Sequence, residues 1–107
     1  MTKTTIEIAQ IVLAPGRDEK ELIAASDRFQ EAFLKHQPGF LRRELARIDA
    51  THYVDIVHWR SLEEAHAVGE LVASSDACQL YFGVMTFDPD KPMDGVAHYS
   101  SLVTYPA

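Results

Sequence analysis

The sequence is poor in cysteine, in glycine clusters, in long apolar runs and in positive charge, and each shortage removes a class of protein. Its one cysteine, Cys78, cannot close an internal disulfide, which fits a reducing compartment and makes the cytoplasm the expected location. The five glycines are isolated, so the Gly-rich loops that cradle nucleotide or flavin phosphates are missing. No apolar run approaches the roughly 18 residues that a membrane helix needs, and Met1-Thr2-Lys3-Thr4-Thr5 leads into an alternating segment without the apolar stretch of a targeting signal. Ten Lys and Arg against sixteen Asp and Glu give a net charge of −6, which argues against nucleic acid or an anionic membrane as partner. Arg42, Arg43 and Arg47 come nearest to a basic patch, with Glu44 and Asp49 interleaved, and no arginine follows Arg60.

What remains is ordinary globular material. At 107 residues, 47% hydrophobic and 24% charged, the chain has the length and composition of one folded domain spanning residues 1–107. Residues 4–13 are rich in β-branched side chains and run into Pro15-Gly16, which predicts a strand closed by a turn. Asp18 with Glu21 three residues later has the spacing of a capping box, and Leu22, Ala25, Phe29, Ala32 or Phe33, and His36 follow at helical spacing until Pro38-Gly39. Phe40–Ile48 and Tyr53–Trp59 read as two strands joined by the polar turn Asp49-Ala50-Thr51-His52. Ser61 offers an N-cap to a helix carrying Leu62, Ala65, Val68 and Val72, and Ser74-Ser75-Asp76 restarts a short helix with Ala77, Leu80 and Tyr81. A linker-like stretch, Asp88–Gly95, precedes a last strand over Val96–Thr104.

The order β-α-β-β-α-β is the split βαβ, or ferredoxin-like, arrangement of the α+β class, with both helices on one face of a four-stranded antiparallel sheet. The strands nevertheless carry apolar residues on both parities, as in Ile6, Ile8 and Val12 against Ala9, Ile11 and Leu13. Two apolar faces need two covers, and the simplest second cover is another copy of the chain in a twofold homodimer.

Three stretches carry a family likeness: Pro38-Gly39-Phe40, Glu44-Leu45, and Val57-His58-Trp59-Arg60-Ser61-Leu62-Glu63-Glu64-Ala65. A Pro-Gly-Phe opening the second strand and a Trp-x-Ser-x-Glu-x-Ala joining the third strand to the next helix resemble the antibiotic biosynthesis monooxygenase family, of the dimeric α/β-barrel superfamily. The likeness covers roughly residues 4–104. It implies a dimeric α/β barrel with a pocket between sheet and helices, and an oxygenase of aromatic compounds that needs no cofactor. In such relatives an asparagine stands four residues before the tryptophan; here that position is Asp55. Their tyrosine six residues after the tryptophan is replaced by Ala65, and their arginine on the following helix has no counterpart. Haem-degrading relatives bind iron through a histidine near the end of the second helical region, where this chain has Leu80 and Tyr81, so haem is not expected.

The period of two places Tyr53, Asp55, Val57 and Trp59 on one face of the third strand and Val54, Ile56 and His58 on the other. On an otherwise apolar strand Asp55 is either a hydrogen-bonded structural carboxylate or a general base, since desolvation raises a carboxyl pKa toward useful values. Trp59 offers a flat apolar wall and an N–H donor for a developing oxyanion. His98, or its neighbour Tyr99, faces the helix-side pocket, the loop before them leaving the register open. These make Asp55, Trp59 and His98 the catalytic candidates, with Phe29, Phe33, Tyr81 and Tyr99 for substrate binding. His66 pairs most simply with Glu70 on a solvated helix face. The acidic cluster Asp88, Asp90 and Asp94 lacks the pattern of a calcium loop, and no metal is expected. Cys78 reads as core filling. The function that follows is cofactor-independent oxidation of a small aromatic or quinol-type molecule by dioxygen. The alternatives are a non-catalytic, small-molecule-binding or stress-associated dimer, and an isomerase or decarboxylase of the same superfamily.

Overall fold

The computed structural model describes residues 4–107 except Phe87, Pro89, Pro92 and Met93, and only the backbone at Ala73. Part of the linker-like stretch therefore lies outside the described residues. The elements are β1 (Thr5–Val12), α1 (Glu19–Ala32), β2 (Phe40–Arg47), β3 (His52–Trp59), α2 (Leu62–Leu71), α3 (Asp76–Gly83) and β4 (Val96–Ser100), with short 3-10 turns at Leu34–His36 and Val72–Ser74. The strands form one antiparallel sheet in the order β2-β3-β1-β4, the ferredoxin-like topology expected from the chain order.

Local chemistry sets the boundaries. The Asp18 carboxylate accepts from the Glu21 amide at 2.9 Å while Glu21 Oε1 accepts from the Asp18 amide at 3.3 Å, the reciprocal capping box that starts α1. Ser61 caps α2 through the Glu64 amide at 3.2 Å, and Ser75 caps α3. Asp49 Oδ1 accepts from the amides of Thr51 (2.9 Å) and His52 (3.0 Å), which folds the β2–β3 turn. The last strand is shorter than its apolar pattern predicts, ending at Ser100 rather than Thr104. Among the described residues its neighbour is β1, whose first strand residue, Thr5, pairs with Ser100, and the last ladder bond runs from the Ser101 amide to the Thr4 carbonyl.

The helices cover one face. Leu22, Ser26 and Phe29 of α1, Ala65 and Val68 of α2, and Ala77, Cys78 and Tyr81 of α3 point into a core shared with Ile11, Tyr53, Val57 and Trp59 of the sheet. The opposite face carries Ile6, Ile8, Val54, Ile56 and Tyr99, half-buried or exposed in the single chain.

Candidate active site

Register decides what meets under the helices. Thr5, Glu7, Ala9 and Ile11 of β1 pair with Trp59, Val57, Asp55 and Tyr53 of β3, and on its other edge β1 sets Glu7 beside His98 and Ala9 beside Val96. Glu7, Asp55 and His98 thus share the helix-facing side. In β2 the pairing slips between Phe40 and Arg42, so Leu41 is an extra residue and the parity changes: Phe40 and then Arg43 and Leu45 face inward.

The slip delivers Arg43 to the core. Its guanidinium donates from Nε to Asp55 Oδ1 at 3.0 Å, and from Nη2 to Ser26 Oγ at 2.6 Å and to the Tyr81 hydroxyl at 2.9 Å. Nη1 donates to the Ser26 carbonyl at 3.3 Å, and the Tyr81 hydroxyl itself donates to Asp55 Oδ2 at 2.6 Å. Both side chains of the Arg43–Asp55 pair are almost fully buried, at 6% and 7% exposure. The guanidinium also lies 5.1 Å from the ring centre of Phe29 and 5.2 Å from that of Tyr81, which stack on each other at 4.8 Å. Burial pulls the Arg43 pKa down, but the Asp55 charge together with Tyr81 and the hydrogen bonds to both outweighs it and the net shift is upward. Burial, with the Asp55 charge adding to it, pushes the Tyr81 phenol far above its ordinary value, so Tyr81 stays a hydrogen-bond donor.

Glu7 is held differently. Its one hydrogen bond among the described residues runs between Oε1 and Nε2 of His98 at 2.9 Å. Burial raises its pKa above the ordinary carboxylate range; contact with His98 opposes this, and the nearby Asp55 charge adds to it. Trp59 Nε1, buried and without a hydrogen-bond partner among the described residues, is near enough to favour the Glu7 anion but outside bonding geometry. His66 of α2 packs its ring perpendicular to that of His98, with centres 5.1 Å apart.

Between these groups and the helices lies an apolar cavity of about 140 Å³. Glu7, Ala9 and Asp55 form its floor, and Phe29, Val68 and Tyr81 stand among its walls. A second space of about 240 Å³ adjoins it, with Asp55 and Tyr81 at the boundary.

The predicted residues divide accordingly. Asp55, Tyr81 and Phe29 line the cavity, and His98 stands directly behind Glu7. Trp59, 1% exposed, packs edge-on against Phe40 beside the cavity and is not part of its wall. Phe33 stacks on Phe29 at 5.7 Å and fills the core behind it. Tyr99 pairs with Ile6 and so lies on the opposite face, 55% exposed, because the β1–β4 register gives the helix side to His98. His66 meets His98 where the helical spacing suggested Glu70. Cys78 is fully buried, and burial pushes its thiol pKa up, which suits core filling. Among the described residues no cluster of three His, Cys, Asp or Glu side chains could hold a metal ion. Arg43, Ser26 and Glu7 are the residues that sequence pattern did not single out.

No family model and no curated protein matches the chain. Solved structures do. SnoaB, a cofactor-independent oxygenase from Streptomyces nogalater, superposes with a TM-score of 0.70 at 16% identity, over 99% of this chain and 100% of that one. A protein from Bordetella bronchiseptica named as a candidate antibiotic biosynthesis monooxygenase gives a TM-score of 0.76 at 20% identity, over 95% and 100%. This chain shares the fold of these proteins. A similarly named protein from Caulobacter crescentus matches over 95% of this chain and 92% of that one, with a TM-score of 0.65 at 14% identity. Identities this low carry the fold and leave the chemistry to the residues of this chain. The fold shared with these proteins is here furnished with an arginine from β2 and a carboxylate from β1.

Proposed function

We propose that the chain is a cofactor-independent monooxygenase that holds a planar, electron-rich aromatic or quinol-type molecule between sheet and helices and oxidises it with dioxygen. The observation that carries this reading is an apolar cavity floored by two carboxylates of unlike environment, Asp55 locked by Arg43 and Tyr81 and Glu7 bonded, among the described residues, to His98 alone. Sharing a fold with SnoaB, a cofactor-independent oxygenase, supports it. A single ring fills the smaller space, and a fused-ring molecule extends into the second past Tyr81.

In this chemistry the substrate supplies the electrons. Loss of an acidic O–H or C–H proton leaves an anion that passes one electron to dioxygen, and the resulting radical pair joins as a carbon-bound peroxide. After protonation, loss of water turns an activated CH₂ into a carbonyl, with one oxygen atom retained and the other released in the water. The protein's part is to exclude bulk water, hold the ring against the Phe29–Tyr81 stack and accept the proton.

The working unit in this reading is a homodimer, in which the apolar open face of one sheet covers that of its partner. The closed Asp55–Arg43–Tyr81 cluster also suits a second reading, a binding protein in which that cluster is scaffold alone. Oxygen uptake on a panel of anthrones, quinols and electron-rich phenols, with protein freed of metal and flavin, tests the first reading: turnover supports it. Ligand binding without uptake leaves the binding protein, and turnover without uptake leaves an isomerase or decarboxylase.

A further inference from the structure

Asp55 is the carboxylate that the strand pattern offers as a base, yet its lone pairs are spent. Oδ1 accepts from Arg43 Nε, and Oδ2 accepts from the Tyr81 hydroxyl at 2.6 Å and faces Arg43 Nη2 at 3.4 Å. A proton arriving there would break the Tyr81 contact and leave a buried guanidinium without its counter-charge. Glu7 is free of that constraint. It stands on the same cavity floor, its side chain is 20% exposed, and among the described residues only His98, itself 15% exposed, is bonded to it.

We propose that Glu7, positioned by His98, is the base that removes the substrate proton, while Asp55 with Arg43 and Tyr81 shapes the wall. The proposal rests on the aromatic-substrate reading above and names the residue that starts its chemistry. In the step itself the substrate C–H or O–H bond breaks and its electron pair stays on the substrate as a delocalised anion. The proton bonds to the Glu7 oxygen not engaged by His98. No electron leaves the substrate at this point. His98 fixes the carboxylate rotamer from β4, and the exposed His66 ring from α2 stands behind it, on the solvent side of the pair. The titratable groups facing Glu7 are therefore His98 from β4 and Asp55 from β3, with His66 of α2 behind His98 and Arg43 of β2 neutralising Asp55.

Proton removal can be read without oxidation by following deuterium exchange at the benzylic carbon of anthrone in D₂O under argon, with Trp59 fluorescence reporting binding. Wild type accelerates exchange, and the rate rises with pD through a carboxylate limb displaced above the ordinary glutamate value. Glu7→Gln binds anthrone but loses about 100-fold or more in exchange, the usual scale of a general base. Glu7→Asp recovers part of the loss. His98→Gln, which can still donate to Glu7, moves the pD limb and leaves anthrone affinity within about twofold, a pattern a purely structural histidine would not give. Exchange that survives Glu7→Gln overturns the assignment, as does oxygen uptake in air by a wild type that does not exchange under argon. Exchange without oxygen uptake in air keeps Glu7 as the base and overturns the oxygenase. No anthrone binding overturns both.

Discussion

At the residue scale, two carboxylates on one floor are held in different ways. Asp55 sits in an ion pair with buried Arg43, and removing one charge of such a pair strands the other. Asp55→Asn is therefore expected to cost on the order of 3 kcal/mol in urea denaturation, and Asp55→Asn with Arg43→Met to cost less than the single change. Equal or greater loss in the double variant would contradict the pair. Glu7 is governed by burial. Its folded pKa is raised, so the folded state binds the proton more tightly than the unfolded chain, and stability falls as pH climbs from the ordinary 4.5 through the raised value. Glu7→Gln removes that cost. Its thermal midpoint should equal or exceed wild type at pH 7, with any gain vanishing below about pH 4 as both states of wild type become protonated. A variant less stable at pH 7 would show that the charged form is favoured in the fold. Asp55 was legible in the sequence because a carboxylate stands out among Tyr53, Val57 and Trp59. Glu7 was hidden by a strand apolar on both parities, and Arg43 by the extra residue Leu41, which reverses the inward parity after Phe40.

At the element scale, capping and turn chemistry carried most of the information. The Asp18 box, the Ser61 and Ser75 caps and the Asp49 turn all stand where their spacing places them. The end of β4 was not legible, because Leu102, Val103 and Thr104 continue a strand pattern past Ser100, where the strand ends. Gly39 ties a turn to a helix: its φ is +83°, and a Cβ there would lie 2.8 Å from Glu64 Cβ and 2.5 Å from Glu64 Cδ. Glu64 cannot swing freely, since its carboxylate holds Arg60 and the Ser61 hydroxyl. Gly39→Ala should cost about 1–2 kcal/mol from backbone conformation alone, plus the overlap with Glu64. Chemical denaturation measures it, and a neutral result would mean that the turn relaxes.

At the scale of the whole molecule, the sheet has one face buried by helices and one on which Ile6, Ile8, Val54 and Ile56 are half-buried, with no helix over them among the described residues. That two-sidedness was readable from the double parity of the strands, and the sheet topology from the order of elements along the chain. The cavity was not, because its volume depends on how α1 and α3 pack over the sheet, which spacing along the chain does not specify. A copy of the chain on the open face predicts twice the 12.0 kDa chain mass in sedimentation equilibrium, and Ile8→Glu, on that face, should shift the mass toward the monomer. A monomeric wild type would refute the dimer. The central claim, oxidation of a bound aromatic by dioxygen with no cofactor, is tested most directly by turnover of anthrone under oxygen-18 gas with metal- and flavin-free protein. The account predicts one labelled oxygen in the product carbonyl, and a product formed without label, or none formed with anthrone bound, would contradict it.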